Sequence, residues 1–272
     1  MIDLFGDRMK GYERVETSRK FDQFKTVYAR IDGRSFSRFT KDMKRPWDDR
    51  MIKIMQDVTS YLVEETHAIV GYTQSDEISL IWLVQNQESQ MFFNAKVQKL
   101  CSVLAGMASS KFTLGVYEEF GIEKASKVPH FDARVFQLPS EVEATNAILW
   151  RYLDAMKNSV SMYARHFYSS KMLQGKDQRK MIEMISQKSD VKYHDLSEVC
   201  RTGSFVRRRT REVFLDPNDF DDRVKQHIDF DEPVIRSFID VESIPDFHKA
   251  TNRTGIIFED QKPMYEKVDI VV

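Results

Sequence analysis

Two hydrophobic periods alternate along the first half of the chain. Runs of β-branched and aromatic residues predict strands at 26–32, 69–73, 78–84 and 128–138. Between them, apolar residues spaced three and four apart predict amphipathic helices over 52–66 and 89–111. The resulting order, β-α-β-β-α-β, is that of an α+β ferredoxin-like sheet. Because that architecture hosts many functions, it does not decide what the protein does.

Helical spacing dominates after Pro139. Two helix-like stretches are predicted within 141–168, and a third at 176–187. A basic strand follows at 203–211. Beyond Asp216 the chain is acidic and contains four prolines, which predicts an irregular tail with short elements.

Composition places the chain among soluble globular proteins. Of 272 residues, 42% are hydrophobic and 31% are charged, which excludes a mainly disordered chain. The densest apolar run, 78–84, is far shorter than the roughly 20 residues that span a bilayer, so we expect no membrane partner. The N-terminus lacks the apolar stretch of a secretory signal, and two cysteines cannot form a disulfide framework. A reducing, cytoplasmic setting is therefore expected.

The net charge of −1 hides an asymmetry along the chain. Residues 212–272 carry a balance of −8, and residues 1–211 carry +7. The first three quarters of the protein are thus able to face a polyanion, although most charge runs are only solvated surfaces.

Two aspartates stand at points that the predicted sheet brings together. Asp32 closes the first strand, and Asp76 lies at the tip of the hairpin that opens the third strand. Since these strands are central neighbours in a split βαβ sheet, their carboxylates should converge at one edge. Such a pair is suited to hold two Mg²⁺ ions for phosphoryl or nucleotidyl transfer. Each aspartate alone is more typical of a turn, and only the two together in this strand order give the catalytic interpretation equal weight, so both interpretations stay open.

Neighbouring residues favour a phosphate ligand at this edge. Residues 34–37 follow the turn and offer backbone N–H groups at a helix start. Lys96 and Lys99 share a face of the second long helix and are able to reach triphosphate oxygens. An ordinary exposed helix surface explains the lysines equally well.

Several longer stretches resemble the signatures of one family. Arg30–Phe39 resembles the first signature of the tRNA-histidine guanylyltransferase superfamily, and Tyr72–Ser79 resembles the second. His130–Val135 and Trp150–Ser159 resemble two further signatures in the same order and spacing. The resemblance covers roughly residues 20–215 and implies a polymerase-palm fold with a two-metal site.

The resemblance implies a division of the chain and a reaction. Residues 1–139 would be the palm catalytic domain, 140–215 a helical and basic-strand region that completes the catalytic unit and contacts tRNA, and 216–272 an acidic C-terminal extension. The reaction would add nucleotides to a tRNA 5′ end in the 3′-to-5′ direction, after activation of the 5′ phosphate by a nucleoside triphosphate, ATP or GTP.

The resemblance also implies site residues. Asp32 and Asp76 would be the catalytic metal carboxylates, with Gly33 giving a backbone carbonyl to a metal. The nucleotide would be held by Asp32, Gly33, Arg34, Ser35, Phe36, Ser37, Arg45, Ser75, Asp76, Lys96 and Lys99.

Two departures from the family pattern bear on the substrate. The eukaryotic branch has a histidine where this chain has Ser37. It also has a His-Ile-Asn-Asn signature where this chain has Met156–Ser159, which keeps only the first asparagine, Asn158. The chain therefore resembles the "like" branch of bacteria, archaea and phages, which repairs 5′-truncated tRNAs by templated addition.

An arginine-dense strand is the predicted RNA-facing surface. The residues expected to bind tRNA are Arg151, Lys157, Asn158, Arg207, Arg208 and Arg209. A solvated edge strand is the alternative explanation for the last three. Trp150 and Tyr152 are expected to be core residues.

Three alternatives to templated repair stay open. One is guanylation of histidine tRNA. Another is a palm-type nucleotide cyclase, which would share the paired aspartates. The third is a non-catalytic tRNA-binding protein. Family members are usually tetramers, so a homotetramer is expected.

Overall fold

A six-stranded antiparallel sheet runs through the protein. The computed structural model describes residues 4–84 and 89–266. Its strands are β1 (Val27–Gly33), β2 (Val70–Gln74), β3 (Glu77–Trp82), β4 (Phe131–Gln137), β5 (Ser204–Val213) and β6 (Val234–Glu242). They lie in the order β4-β1-β3-β2-β5-β6. The first four strands in the order β4-β1-β3-β2 form the predicted ferredoxin-like arrangement, so the α+β fold class is confirmed.

Helices cover both faces of the sheet. In the described parts of the chain they are α1 (Leu4–Thr17), α2 (Phe36–Phe39), α3 (Asp49–Thr66), α4 (Val97–Phe120), α5 (Ile122–Ala125), α6 (Glu141–Phe167), α7 (Ser170–Leu173), α8 (Gln178–Ser186), α9 (Glu198–Thr202), α10 (Asp222–Lys225) and α11 (Arg253–Phe258). The two stretches expected within 141–168 are one helix, α6. Among these helices, none is long and apolar enough to cross a membrane.

Alternation along β1 divides the interior into two cores. Val27, Ala29 and Ile31 belong to the core shared with α3 and α4, and Tyr28 belongs to the core shared with α6. Side chains alternate between the faces of a strand, so one strand serves both layers. Helix α3 approaches the sheet closely over Gly71, where an added Cβ would lie 2.6 Å from the Thr59 methyl group.

The C-terminal segment is more ordered than the sequence suggests. Instead of an irregular tail, it supplies β6, which pairs with β5 from Phe205↔Glu242 to Val213↔Val234. Its later residues Phe247 and Ile256 are fully buried in the α6 core. The apolar residues between Pro233 and Pro245 are typical of a strand, but the acidic composition of the segment hid that pattern. The sheet is therefore continuous from the palm-like strands into the acidic segment.

Candidate active site

Strand pairing brings the two aspartates to the same edge of the sheet. Asp32 at the end of β1 pairs in register with Glu77, the first residue of β3. The backbone N–H of Gly33 donates to the carbonyl of Asp76 at 3.0 Å. Asp76 sits in a two-residue turn in which Ser75 adopts φ 52° and its hydroxyl donates to the Asp76 carboxylate at 3.0 Å. The convergence expected from the sheet order is thus present.

The carboxylates form a locally uncompensated pair of negative charges. Burial raises the pKa of Asp76, the Ser75 hydroxyl opposes that rise, and repulsion from Asp32 adds to it. Within residues 4–84 and 89–266, no donor or cation contacts the Asp32 carboxylate. Hard oxygen donors without a counter-charge suit a divalent cation.

The donor set fits Mg²⁺ better than a fully caged ion. In the described residues, no group of three His, Cys, Asp or Glu side chains gathers here or elsewhere. Mg²⁺ typically takes one or two protein carboxylates and completes its shell with phosphate oxygens and water. Two aspartates flanking an open cavity match that preference.

Close packing fixes the loop that follows β1. A Cβ added to Gly33 would lie 2.3 Å from the Phe36 ring, so only glycine allows the loop to fold back over that ring. Phe36 is buried and packs against Phe112 and Phe131 with ring centroids 5.1 and 5.0 Å away. The loop is therefore anchored from below by aromatic packing.

The anchored loop offers unused backbone donors. In the part of the chain that the structure describes, the N–H groups of Ser35, Phe36 and Ser37 have no hydrogen-bond partner. Ser35 is the N-cap of α2, and Phe36 and Ser37 are its first two residues, positions where N–H groups have no partner within the helix. Orphaned N–H groups beside a cavity are suited to bind phosphate oxygens.

A cavity of about 1020 Å³ opens above this edge. Of the residues expected at the nucleotide or tRNA, those that line it are Asp32, Ser35, Phe36, Ser37, Arg45, Ser75, Asp76, Arg151 and Asn158. Those that do not line it are Gly33, Arg34, Lys96, Lys99, Lys157, Arg207, Arg208 and Arg209. Gly33 and Arg34 nevertheless lie in the loop between lining residues.

Sequence reasoning missed several basic groups of the cavity. Lys44, Arg165, His166 and Arg201 also line it. Arg165 and His166 stand four turns along α6 from Arg151, on the same face of the helix. That helical spacing was a usable signal once Arg151 had been singled out. Lys44 and Arg165 thus add positive charge to the cavity beyond what the motifs alone indicated, whereas Arg201 is paired with Glu198.

Lys96 and Lys99 lie away from the two aspartates. The backbone of Lys96 forms an isolated β-bridge with Lys20. Nearby in the chain, the carbonyl of Asp22 accepts a hydrogen bond of 2.6 Å from the side chain of Gln137, at the far end of β4. Gln137 pairs with Val27, at the opposite end of β1 from Asp32. The start of α4 therefore lies at the opposite edge of the sheet. Within one chain the structure does not bring these lysines to the cavity.

Arg151 is buried and held by carboxylates. Its Nε lies 2.5 Å from Glu77 and its terminal nitrogen 2.9 Å from Asp154. Burial raises the pKa of Glu77, and the Arg151 guanidinium opposes that rise. Glu77 directly follows Asp76, so Arg151 fixes the base of the β2–β3 hairpin that carries Asp76. Its expected contact with tRNA stays a prediction, and most of its guanidinium is already paired with Glu77 and Asp154.

The arginines of β5 contact the C-terminal segment. Arg207 is buried and pairs with Glu242 and Asp260. Arg209 pairs with Asp240 at 3.1 Å and with Glu242 at 2.7 Å. β5 is not an edge strand, because β6 covers its outer side. The acidic segment thus neutralises much of the charge that the sequence analysis assigned to RNA.

Residues 157–159 divide between surface and interior. Lys157 and Asn158 are exposed. Ser159 is buried, and its hydroxyl lies 2.7 Å from the Tyr193 hydroxyl and donates to the carbonyl of Arg201 at 3.0 Å. The serine that replaces an asparagine of the eukaryotic signature therefore ties α6 to α9.

Comparison with known proteins places this geometry in a family. Residues 6–139 match the family described as Thg1, tRNAHis guanylyltransferase. A solved bacterial Thg1-like protein in complex with ATP is 30% identical, with a TM-score of 0.70 over 75% of this chain and 87% of that chain. Another, in complex with GTP, is 28% identical, with a TM-score of 0.66 over 88% and 91%.

A curated relative extends the match to a named enzyme. The tRNA(His) guanylyltransferase of Schizosaccharomyces pombe is 25% identical over 72% of this chain and 77% of its own length. The members of this family are nucleotidyltransferases. With its fold, its paired aspartates and these matches, the chain belongs to the tRNAHis guanylyltransferase (Thg1) family.

Proposed function

We propose that this enzyme repairs tRNA 5′ ends by templated 3′-to-5′ nucleotide addition. The observation that carries the proposal is the pair of uncompensated carboxylates, Asp32 and Asp76, which line a cavity together with cationic side chains and free N–H groups. Structural neighbours solved with ATP and with GTP support nucleoside triphosphates as its co-substrates. Residence in the cytoplasm and a homotetramer belong to the same proposal and rest on the family resemblance.

The proposed chemistry has two displacements at phosphorus. First, an oxygen of the tRNA 5′-monophosphate attacks the α-phosphorus of ATP, and pyrophosphate leaves. Then the 3′-hydroxyl of an incoming nucleotide attacks the activated 5′ phosphorus, a new phosphodiester forms, and AMP leaves. Both displacements need positioning and charge stabilisation more than covalent help from the protein.

The residues of the cavity supply those two needs. Asp32 and Asp76 would hold Mg²⁺, which, when bound, lowers the pKa of an attacking hydroxyl and stabilises charge on the leaving group. The N–H groups of residues 35–37 bind triphosphate oxygens. Lys44, Arg45 and Arg165, which also line the cavity, neutralise the remaining phosphate charge.

Templated repair is preferred to guanylation of histidine tRNA on one structural ground. The family signature tied to histidine tRNA is replaced at Met156–Ser159, and Ser159 uses its hydroxyl inside the protein. Because Ser159 is buried and its hydroxyl already has partners within the protein, it is poorly placed to recognise a particular tRNA. Base pairing with the opposite strand would then select the nucleotide, in place of a protein contact.

The test compares two histidine tRNAs, each 5′-monophosphorylated. One is intact and the other lacks its first nucleotide, and both are incubated with ATP, GTP and Mg²⁺. A variant of the truncated tRNA carries a changed base opposite the missing nucleotide. Repair predicts faster addition to the truncated tRNA, and the nucleotide added should follow the changed base. Faster addition of G to the intact tRNA would replace the proposal with the guanylyltransferase assignment.

A further inference from the structure

Trp150 is a partly exposed aromatic residue beside the catalytic edge. It was expected in the core, yet 51% of its surface is open. Its neighbour on α6, Tyr152, is buried as expected. The open part of the indole offers a large apolar face, and a ligand that covered it would gain burial energy.

Cations surround the indole. The guanidinium carbons of Arg30 and Arg151 lie 5.4 and 4.5 Å from its ring centroid. Among the aromatic rings in residues 4–84 and 89–266, Trp150 is the one with two guanidinium groups at such distances. Arg134 pairs in register with Arg30, so its exposed side chain stands on the same face of the sheet. We name Arg30, Arg134 and Trp150 the Trp150 shelf.

The shelf borders the site of reaction. Arg30 and Asp32 are two residues apart on β1, so they share a face and lie about 7 Å apart along the strand. Arg151, next to Trp150, lines the cavity. Trp150 itself is not among the residues that line the cavity, so the shelf lies beside the cavity and extends its surface along β1 and α6.

We propose that Trp150 stacks against the base of the 5′-terminal nucleotide of the RNA substrate. An indole face accepts any base, which suits an enzyme whose substrate ends in different nucleotides. Arg134 pairs with Asp132 only at the surface, 3.3 Å away, so it is free to exchange that partner for a backbone phosphate. The stack would hold the 5′ phosphate beside the aspartates. This inference rests on the proposed function for the identity of the RNA.

The test is a cycle between protein and RNA variants. The probe is a 5′-monophosphorylated acceptor-stem minihelix, either intact or with an abasic first nucleotide. Binding is measured by fluorescence anisotropy without nucleotide or Mg²⁺. The proteins are wild type, Trp150→Ala, Trp150→Phe and the control Leu153→Ala, which removes an exposed apolar side chain from the same helix.

Stacking predicts that wild type binds the intact minihelix at least about 5-fold more tightly than the abasic one. Trp150→Ala should lose this preference, and Trp150→Phe and Leu153→Ala should keep it. If Trp150→Ala weakened the binding of both RNAs equally, Trp150 would have a structural role and the inference would be overturned. It would also be overturned if Trp150→Ala bound the intact minihelix as tightly as wild type does, or if wild type bound neither minihelix. The binding assay involves no catalysis. If the preference for the intact minihelix depended on Trp150 but the enzyme added no nucleotide to tRNA, the proposed function would be refuted and the stacking inference would still hold.

Discussion

The buried pair of Arg151 and Glu77 should be worth far more to the protein than a surface ion pair. Only 8% and 9% of their side chains are exposed, and Nε and Oε1 are 2.5 Å apart. Replacing Arg151 with methionine keeps most of its volume but leaves the Glu77 carboxylate buried, with Arg30 4.0 Å away as its remaining cation. Removal of one partner from such a pair costs about 3–5 kcal/mol.

Three comparisons isolate the pair from its surroundings. Asp154→Asn, which removes the other, more exposed partner of Arg151, should cost about 1 kcal/mol or less. The double variant Glu77→Gln/Arg151→Met removes both charges and should recover about 2 kcal/mol or more of the loss. Urea unfolding followed by circular dichroism gives each free energy of unfolding.

The deficit of the Arg151→Met variant should also depend on pH. Burial raises the pKa of Glu77, and without the guanidinium it rises further in the folded state. The folded protein then binds more protons than the unfolded chain, so stability is lost as pH rises through the folded pKa. The deficit should be smaller at pH 5 than at pH 8. A single variant within 1 kcal/mol of wild type, or a deficit larger at pH 5, would refute this reasoning.

Three further predictions test packing and charge elsewhere. Gly71→Ala should lower the free energy of unfolding in urea by about 1–3 kcal/mol, because the added Cβ would clash with α3. Gly106→Ala on α4 places its Cβ in open space and should stabilise the protein by about 0.4–1 kcal/mol. Equal effects of the two variants would refute the packing argument. A hydrogen bond from Lys124 lowers the pKa of Asp42 to about 2. Wild type should therefore melt at a higher temperature than Asp42→Asn, and this difference should vanish as pH falls from about 4 towards 2. A difference that is unchanged down to pH 2 would contradict a stabilising ion pair between Lys124 and Asp42. Arg209→Gln should leave the salt dependence of tRNA binding unchanged, since acidic partners already neutralise Arg209; a flatter dependence would place RNA on β5.

Hydrophobic periodicity within short segments was enough to predict the four palm-like strands and the two helices between them. Strand alternation and helix spacing are enough to predict the order β4-β1-β3-β2, and that order places Asp32 beside Asp76. The β6 strand was missed because its pairing with β5 is a long-range event, and acidic residues hid its apolar positions.

The fate of the charged residues was harder to predict than the fold. Sequence alone does not say whether an arginine faces solvent or a carboxylate distant in the chain. Arg207 meets Glu242 and Asp260, and Arg151 meets Glu77, and none of these partners is within 30 residues. Trp150 was misjudged for a related reason, since only tertiary packing decides which flank of α6 stays open.

The central claim is that Asp32 and Asp76 together carry nucleotidyl transfer. The most direct measurement is single-turnover addition to 5′-monophosphorylated, truncated tRNA by Asp32→Asn, Asp76→Asn and the control Asp57→Asn, an exposed carboxylate on α3. The account predicts loss of addition in the first two variants, with folding and tRNA binding retained, and wild-type rates in the control. Addition at a wild-type rate by either Asp32→Asn or Asp76→Asn would contradict it.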